Sequence, residues 1–353
     1  MVRRSSARIF VGLVAIAVLA APLAADAGPV RGHTAATTHR RSHALHVGQL
    51  GAVPVHSASA TAPINAETAA NKKLEYHGGP VMLSSHTYTI FWEPTTCGGS
   101  PCSVAPGYNA GINTYFTDAA ADSGGTENVY STLNQYYEIK HGNKKHVQYA
   151  QTFADTTVDT TPFPASGCDS FHFGSSGVCL NDRQIRTEIK NVIIAKGWNG
   201  TKSNAFFLLL PSEVDTCFSS TSTECAFTEF CAYHSAFALP DGSPAIYANV
   251  PYGGTNLQGC ASGKTPPNEA NLDATLNAMS HEHREMTNDP FGNGWWDNQS
   301  GFEGSDQCAY KFGPTQSPGG PNNGDYNQVI NSDFYLVQME WSNRSLKCVQ
   351  RGT

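Results

Sequence analysis

All ten cysteines of this 353-residue chain fall between Cys97 and Cys348, and a basic-then-apolar leader precedes them. An even cysteine count behind an export signal reads as a disulfide framework rather than as thiol chemistry. Cys97/Cys102 and Cys168/Cys179 are spaced as local clips, and Cys308/Cys348 as a tie from a late loop to the last strand. Spacing alone leaves the connectivity open. The leader covers residues 1–27: Arg3, Arg4 and Arg8, an apolar run from Ile9 to Ala21, then Ala25-Asp26-Ala27 as a small-x-small cleavage site. The apolar run is short for a membrane span, and no later stretch reaches about 18 apolar residues. These features predict a secreted, extracellular protein with no integral membrane segment once the signal is removed.

Residues 28–73 are rich in Ala, Thr, Ser, His and Pro and show little hydrophobic periodicity. Such a segment buries too little apolar surface to order itself, which predicts a disordered linker or pro-segment. The folded domain is then expected over residues 74–353. Charged residues make up 14% of the chain, well under the usual quarter, and the net charge of −7 comes without a basic patch. Nucleic acid is therefore not an expected partner.

Helices and strands interleave along the domain. Alternation predicts a strand over His86–Trp92, and Ile112, Tyr115, Phe116 and Ala119 share one face of a helix near Tyr108–Ala121. His146–Ala154 reads as a strand. Asn181 or Asp182 can cap a helix that carries Ile185, Ile189, Val192 and Ile193 and ends at Gly197. The unbroken apolar run Ala205–Leu210 reads as a buried central strand, Ala245–Val250 as another, and Phe334–Trp341 as a closing one. The fold class expected is α/β (α+β): one disulfide-tied domain with a mixed sheet and a single helix carrying the chemistry.

That helix is expected from about Asn268 to Thr287, and it holds Ser280-His281-Glu282-His283-Arg284-Glu285. Residues four apart share a helix face, so His281 and Glu285 can address one centre with Glu282 beside them. The layout is that of the H-E-x-x-H zinc helix, with Glu285 at the second ligand position. Metallopeptidases of the gluzincin class add a glutamate ligand roughly twenty residues on, where Glu303 stands. The expectation is a zincin-like centre in which His281, Glu285 and Glu303 hold a divalent metal and Glu282 is the general base. His234, Asp306 and His77 are further candidates. A His/Glu/Glu set suits Zn²⁺ first, and its oxygen-rich character also suits Mn²⁺ or Ca²⁺. The same residues also read as an ordinary polar helix face, and nothing in their spacing fixes a glycosidase-like carboxylate pair.

The motifs Tyr76-His77-Gly78-Gly79-Pro80, Cys231-Ala232-Tyr233-His234, His281-Glu282-x-x-Glu285 with Asn288-Asp289-Pro290, Trp296, Glu303-x-x-Asp306-x-Cys308 and Leu336-Val337-Gln338-x-x-Trp341 follow one another in order. Together they resemble the EXORDIUM-like, phosphate-induced protein family of plants and its secreted bacterial relatives, over about residues 74–350. The chain departs from that pattern at His283-Arg284, where relatives carry apolar or small residues, and at Gly304-Ser305. The resemblance implies an extracellular, cell-wall-associated protein but supplies no reaction. Two functions follow as expectations: a metal-dependent, peptidase-like hydrolase acting on a peptide or cell-wall polymer, or a non-catalytic cell-wall or carbohydrate-binding protein with a structural cation.

Overall fold

The computed structural model describes residues 51–56, 73–168, 177–212, 214–221 and 223–352. The expected signal segment lies outside the described residues. Six strands form the central sheet: β1 (Ala52–Pro54), β2 (Ser85–Trp92), β3 (Gln151–Asp159), β4 (Asn204–Leu209), β5 (Phe230–Ala238) and β6 (Pro244–Val250). Their order is β1-β5-β6-β4-β2-β3. The β6/β4, β4/β2 and β2/β3 pairs are parallel, while β5 runs antiparallel to both of its neighbours. The mixed α/β architecture expected from the sequence is present. Central strand β4 is buried at every residue, as an apolar run in the middle of a two-sided sheet must be.

Three long helices flank the sheet: α1 (Tyr108–Ala121), α2 (Asp182–Lys196) and α3 (Ala270–Asn288). The bounds of α2 follow from local chemistry. Asn181 forms a reciprocal capping box with Gln184, and Gly197 closes the helix in the left-handed conformation. Side chains alternate across a strand, so consecutive residues report opposite faces. Tyr233 donates its hydroxyl to Asp182 at the start of α2, while the next residue, His234, meets Glu282 on α3. Likewise Phe207 packs against Phe116 of α1 and His283 of α3, and Phe206 against Tyr88 and Trp198. Helices α1 and α3 thus share one face, with Tyr108 Oη bonded to Thr275 Oγ1 between them, and α2 takes the other.

Three sequence expectations are corrected here. Residues 51–56 lie within the segment expected to be disordered, yet they include β1, with Val53 fully buried. Backbone pairing and one apolar anchor order this short piece. The strand expected over Phe334–Trp341 is interrupted: Asp333–Tyr335 and Glu340–Ser342 are strands, and the residues between them are not. Side chains satisfy that backbone instead. Asn327 bonds both Val337 N and Val337 O, Asn277 accepts from Gln338 N, and Arg284 donates to Gln338 O. The strand expected over His146–Ala154 is likewise two pieces, Asn143–His146 and Gln151–Asp159. Val147 N and Gln148 N bond to Tyr136 O and Leu83 O between them.

All ten cysteines pair: Cys97–Cys102, Cys168–Cys179, Cys217–Cys225, Cys231–Cys260 and Cys308–Cys348. The last two bracket the motif region, fixing the start of β5 and the loop after Glu303. Thiol labelling of the denatured, unreduced protein should therefore find no reactive cysteine. Two or more labelled thiols would overturn this pairing. No helix among the described residues is long and apolar enough to cross a membrane.

Candidate metal centre

Helix α3 is buried on all sides, from Leu272 to Asn288. A helix carrying Ser-His-Glu-His-Arg-Glu through a protein interior needs a partner for each polar group, because an unpaired buried one costs on the order of 1–3 kcal/mol. His283 and Arg284, where the sequence departs from the resembled pattern, point away from the centre. His283 Nε2 is 2.6 Å from Ser85 Oγ and Nδ1 3.2 Å from Tyr130 Oη, among Phe116 and Phe207. Burial, then the neighbouring Arg284 charge, push its pKa down to about 3, so it is a neutral hydrogen-bonding core residue. Arg284 donates to Ser280 O and Gln338 O and pairs with Glu340 at 3.3 Å. Glu340 in turn accepts from Ser305 Oγ at 2.7 Å. This chain of contacts ties α3 to the Glu303–Asp306 loop.

The remaining face of the helix holds the centre. His281 Nε2 lies 3.1 Å from Glu285 Oε1 and 3.4 Å from Asp306 Oδ1. Asp306 N–H also donates to Glu285 Oε1 at 3.0 Å, and Glu303 N–H to Asp306 Oδ2 at 3.1 Å, so the loop is folded against the helix by its own backbone. On the other side of Glu285, His234 Nδ1 is hydrogen-bonded to Glu282 Oε2 at 2.9 Å and lies 3.8 Å from Glu285 Oε2. His234 Nε2 lies 3.8 Å from Glu303 Oε2. Glu285 thus belongs to two ligand-like groups, His281/Glu285/Asp306 and His234/Glu282/Glu285.

Burial sets the electrostatics. It pushes Glu282 up to about 8 and Glu285 up to about 7, the latter helped by the Asp306 charge. Glu303 rises well above the usual carboxylate range through burial and then the Glu285 charge. Burial opposes a charged His281, but the Glu285 charge and the bonds to Asp306 and Glu285 outweigh it and hold the imidazole well above its ordinary value. His234 goes the other way, because burial exceeds the pull of Glu285 and Asp289. With Nδ1 engaged by Glu282, His234 turns Nε2 to the Glu303 side.

The donor set fits a divalent cation. Tetrahedral ligands about 2.0–2.1 Å from an ion lie about 3.3 Å apart, close to the two separations around His281 Nε2. His281 Nδ1, His234 Nε2, Glu285 Oε2 and Glu303 Oε1 are buried without a hydrogen-bond partner. That many orphaned acceptors and ring nitrogens in one place is rare in a folded interior. One imidazole and two carboxylates, with no thiolate, suit Zn²⁺ or Mn²⁺.

Of the residues expected from the sequence, His281, Glu282, Glu285, Glu303, Asp306 and His234 converge, and Asp306 rather than Glu303 approaches His281. His77 stands apart: it stacks on Trp296 with ring centroids 3.5 Å apart, and its Nε2 is 3.3 Å from Trp296 O. The sequence reading missed Gly51 and Val53. Val53 N–H donates to Glu282 Oε1 at 3.2 Å, and His234 N–H to Gly51 O at 3.1 Å. A Cβ on Gly51 would sit 2.0 Å from Glu285 Oε2 and 2.4 Å from Glu303 Oε2. The signal was there, as the short apolar run Gly51-Ala52-Val53-Pro54-Val55 inside a polar stretch. Comparison with family models, with curated proteins and with solved structures finds no match to this chain.

Proposed function

We propose that the protein is a secreted, zincin-like metal-dependent hydrolase, related to the EXORDIUM-like proteins its motifs resemble, that acts on peptide bonds. The observation that carries this is the approach of His281 Nε2, Glu285 Oε1 and Asp306 Oδ1 to ligand-like separations, with His281 and Glu285 fully buried and Asp306 largely so. His281 and Glu285, one helical turn apart, and Asp306 from the loop would hold the ion. Zn²⁺ is the first candidate. When bound, such an ion would supply Lewis acidity and lower the pKa of a water molecule. Glu282, next to His281 in the helix, takes the proton from the attacking water, and His234 orients Glu282 through the 2.9 Å bond. Glu303 supplies a further carboxylate behind Glu285.

A second reading, a non-catalytic cell-wall protein with a structural cation, draws on one fact. Both oxygens of Glu282 are already engaged, one by Val53 N–H and one by His234. Metal analysis of the purified full chain tests what the readings share: about one equivalent of a divalent ion should survive dialysis. Absence of metal, together with no thermal shift on adding Zn²⁺, Mn²⁺ or Ca²⁺, would sink both. Turnover of a quenched-fluorescence peptide library by the metal-loaded protein separates them.

A further inference from the structure

We infer that residues 51–56 are a strap that occupies, in cis, a groove built to receive an extended peptide, and that while seated the strap keeps Glu282 from acting. The inference rests on the hydrolase reading for its catalytic consequence only; the groove itself is argued from contacts.

The strap is bound as a peptide ligand is bound, chiefly through its main chain. It adds an antiparallel strand to the β5 edge, with Ala52 opposite Tyr233, Val53 opposite Ala232 and Pro54 opposite Phe230. Beyond the ladder, Val55 N–H donates to Glu229 O at 3.1 Å and His56 N–H to Gly259 O at 2.7 Å. The Tyr310 hydroxyl donates to Pro54 O at 2.7 Å. Strand addition of this kind takes affinity from backbone bonds and selectivity from pockets for alternate side chains. Here the pockets are two. The Val53 side chain is fully buried in the core, and a Cβ at the Gly51 site has no room unless the Glu285 and Glu303 carboxylates move aside, which the contacts of Glu285 Oε1 with His281 and Asp306 N–H oppose. Pro54 falls where the register shifts by a bulge, a position at which a strand tolerates the missing N–H. The favoured occupant is therefore an extended segment of glycine, any residue, a β-branched apolar residue, then proline.

A strand that served only to cover a sheet edge has no reason to bring its backbone onto the catalytic carboxylate. This one donates Val53 N–H to Glu282 Oε1 and places Gly51 between Glu285 and Glu303. A peptide seated in its place would lay its own backbone along the same carboxylates, which is the placement a peptide substrate needs. Displacement of the strap thus exposes the groove and frees one oxygen of Glu282 together.

The test uses the full chain and a fluorescent synthetic peptide spanning residues 49–57 as the probe. In the Gly51→Val variant the added side chain has no room beside Glu285, so the strap should leave. Amides of residues 51–56, protected from hydrogen exchange in the wild type, should exchange at least 100-fold faster. The variant should bind the probe at least ten-fold tighter than the wild type, and a probe carrying the same Gly51→Val change should not bind. Tyr310→Phe, which removes one strap bond outside the centre, weakens strap and probe alike, so its readout is exchange: the amides of residues 51–56 should exchange faster than in the wild type but slower than in Gly51→Val, which guards against a variant that fails to fold. Continued protection of residues 51–56 in Gly51→Val, or equal probe binding by variant and wild type, would overturn the inference. Both readouts are repeated on metal-stripped protein. A wrong metal assignment then leaves probe binding intact, whereas a wrong groove leaves the wild type's metal content untouched.

Discussion

Glu285→Ala should release the metal and abolish its stabilising effect, whereas Glu282→Gln should keep the metal and lose hydrolysis by about 10²-fold or more. The difference follows from where each carboxylate points. Glu285 Oε1 faces His281 and Asp306 while Oε2 faces His234, so its loss opens both ligand-like groups at once. An ion bound only by the folded state stabilises it by about 4 kcal/mol when present at a thousand times its dissociation constant. With chelator present the order should reverse. Removing Glu285 takes one buried carboxylate away from Glu303, Glu282 and Asp306, so the metal-free variant should melt no lower than the metal-free wild type. Gln at position 282 can still accept from Val53 N–H, and its amide can donate to His234 Nδ1 in the other tautomer. Its shape and anchoring therefore survive while the base does not. Metal content, melts with and without chelator, and peptide turnover are the three measurements. Should Glu282→Gln shed the metal as readily as Glu285→Ala, the two roles are wrongly divided.

Legibility in the sequence followed locality. Helices α1, α2 and α3 and strands β2, β4 and β6 could be read because apolar periodicity, the Asn181/Gln184 cap and the Gly197 stop act within one turn of themselves. Three of the five disulfides could be proposed from spacing or from the loop they would tie, although spacing left the connectivity open, while Cys217–Cys225 and Cys231–Cys260 needed the fold. The convergence of His281, Glu282 and Glu285 is a property of helical spacing, so it too was readable. Asp306 was harder to rank. Its approach to His281 is set by two backbone bonds in the Glu303–Asp306 loop, and nothing in the residue order says which carboxylate of such a loop turns inward.

What the sequence hid was non-local. Val53 of strand β1 lies 229 residues before the glutamate it touches, and the apolar run from Gly51 to Val55 is too short to mark a strand inside a stretch rich in Ala, Thr, Ser, His and Pro. The break in the closing strand is equally remote in cause, because Asn277, Arg284 and Asn327 each take backbone groups that a neighbouring strand would otherwise bond. Side-chain capture of a backbone leaves no periodic trace in the segment captured.

The largest stability effect should come from a residue outside the centre. Arg284 and Glu340 are both fully buried and are paired at 3.3 Å. Removing one partner of such a pair strands a charge in the interior and typically costs 3–5 kcal/mol, so Arg284→Met should lower the melting temperature sharply although Met fits the volume of the aliphatic stem. Adding Glu340→Gln, which can still accept from Ser305 Oγ, should recover at least half of the loss. The pH dependence has a definite sign. Burial already raises Glu340 above 4.5 despite the Arg284 charge that lowers it, and losing that charge raises it further. Between 4.5 and the raised value the folded state then holds a proton that the unfolded state has released, so stability falls as pH rises. The gap in melting temperature between Arg284→Met and wild type should therefore be wider at pH 8 than at pH 5. A gap that ignores pH, with no recovery in the double variant, would mean that Arg284 acts through the packing of its stem and the carbonyls of Ser280 and Gln338 rather than through its charge.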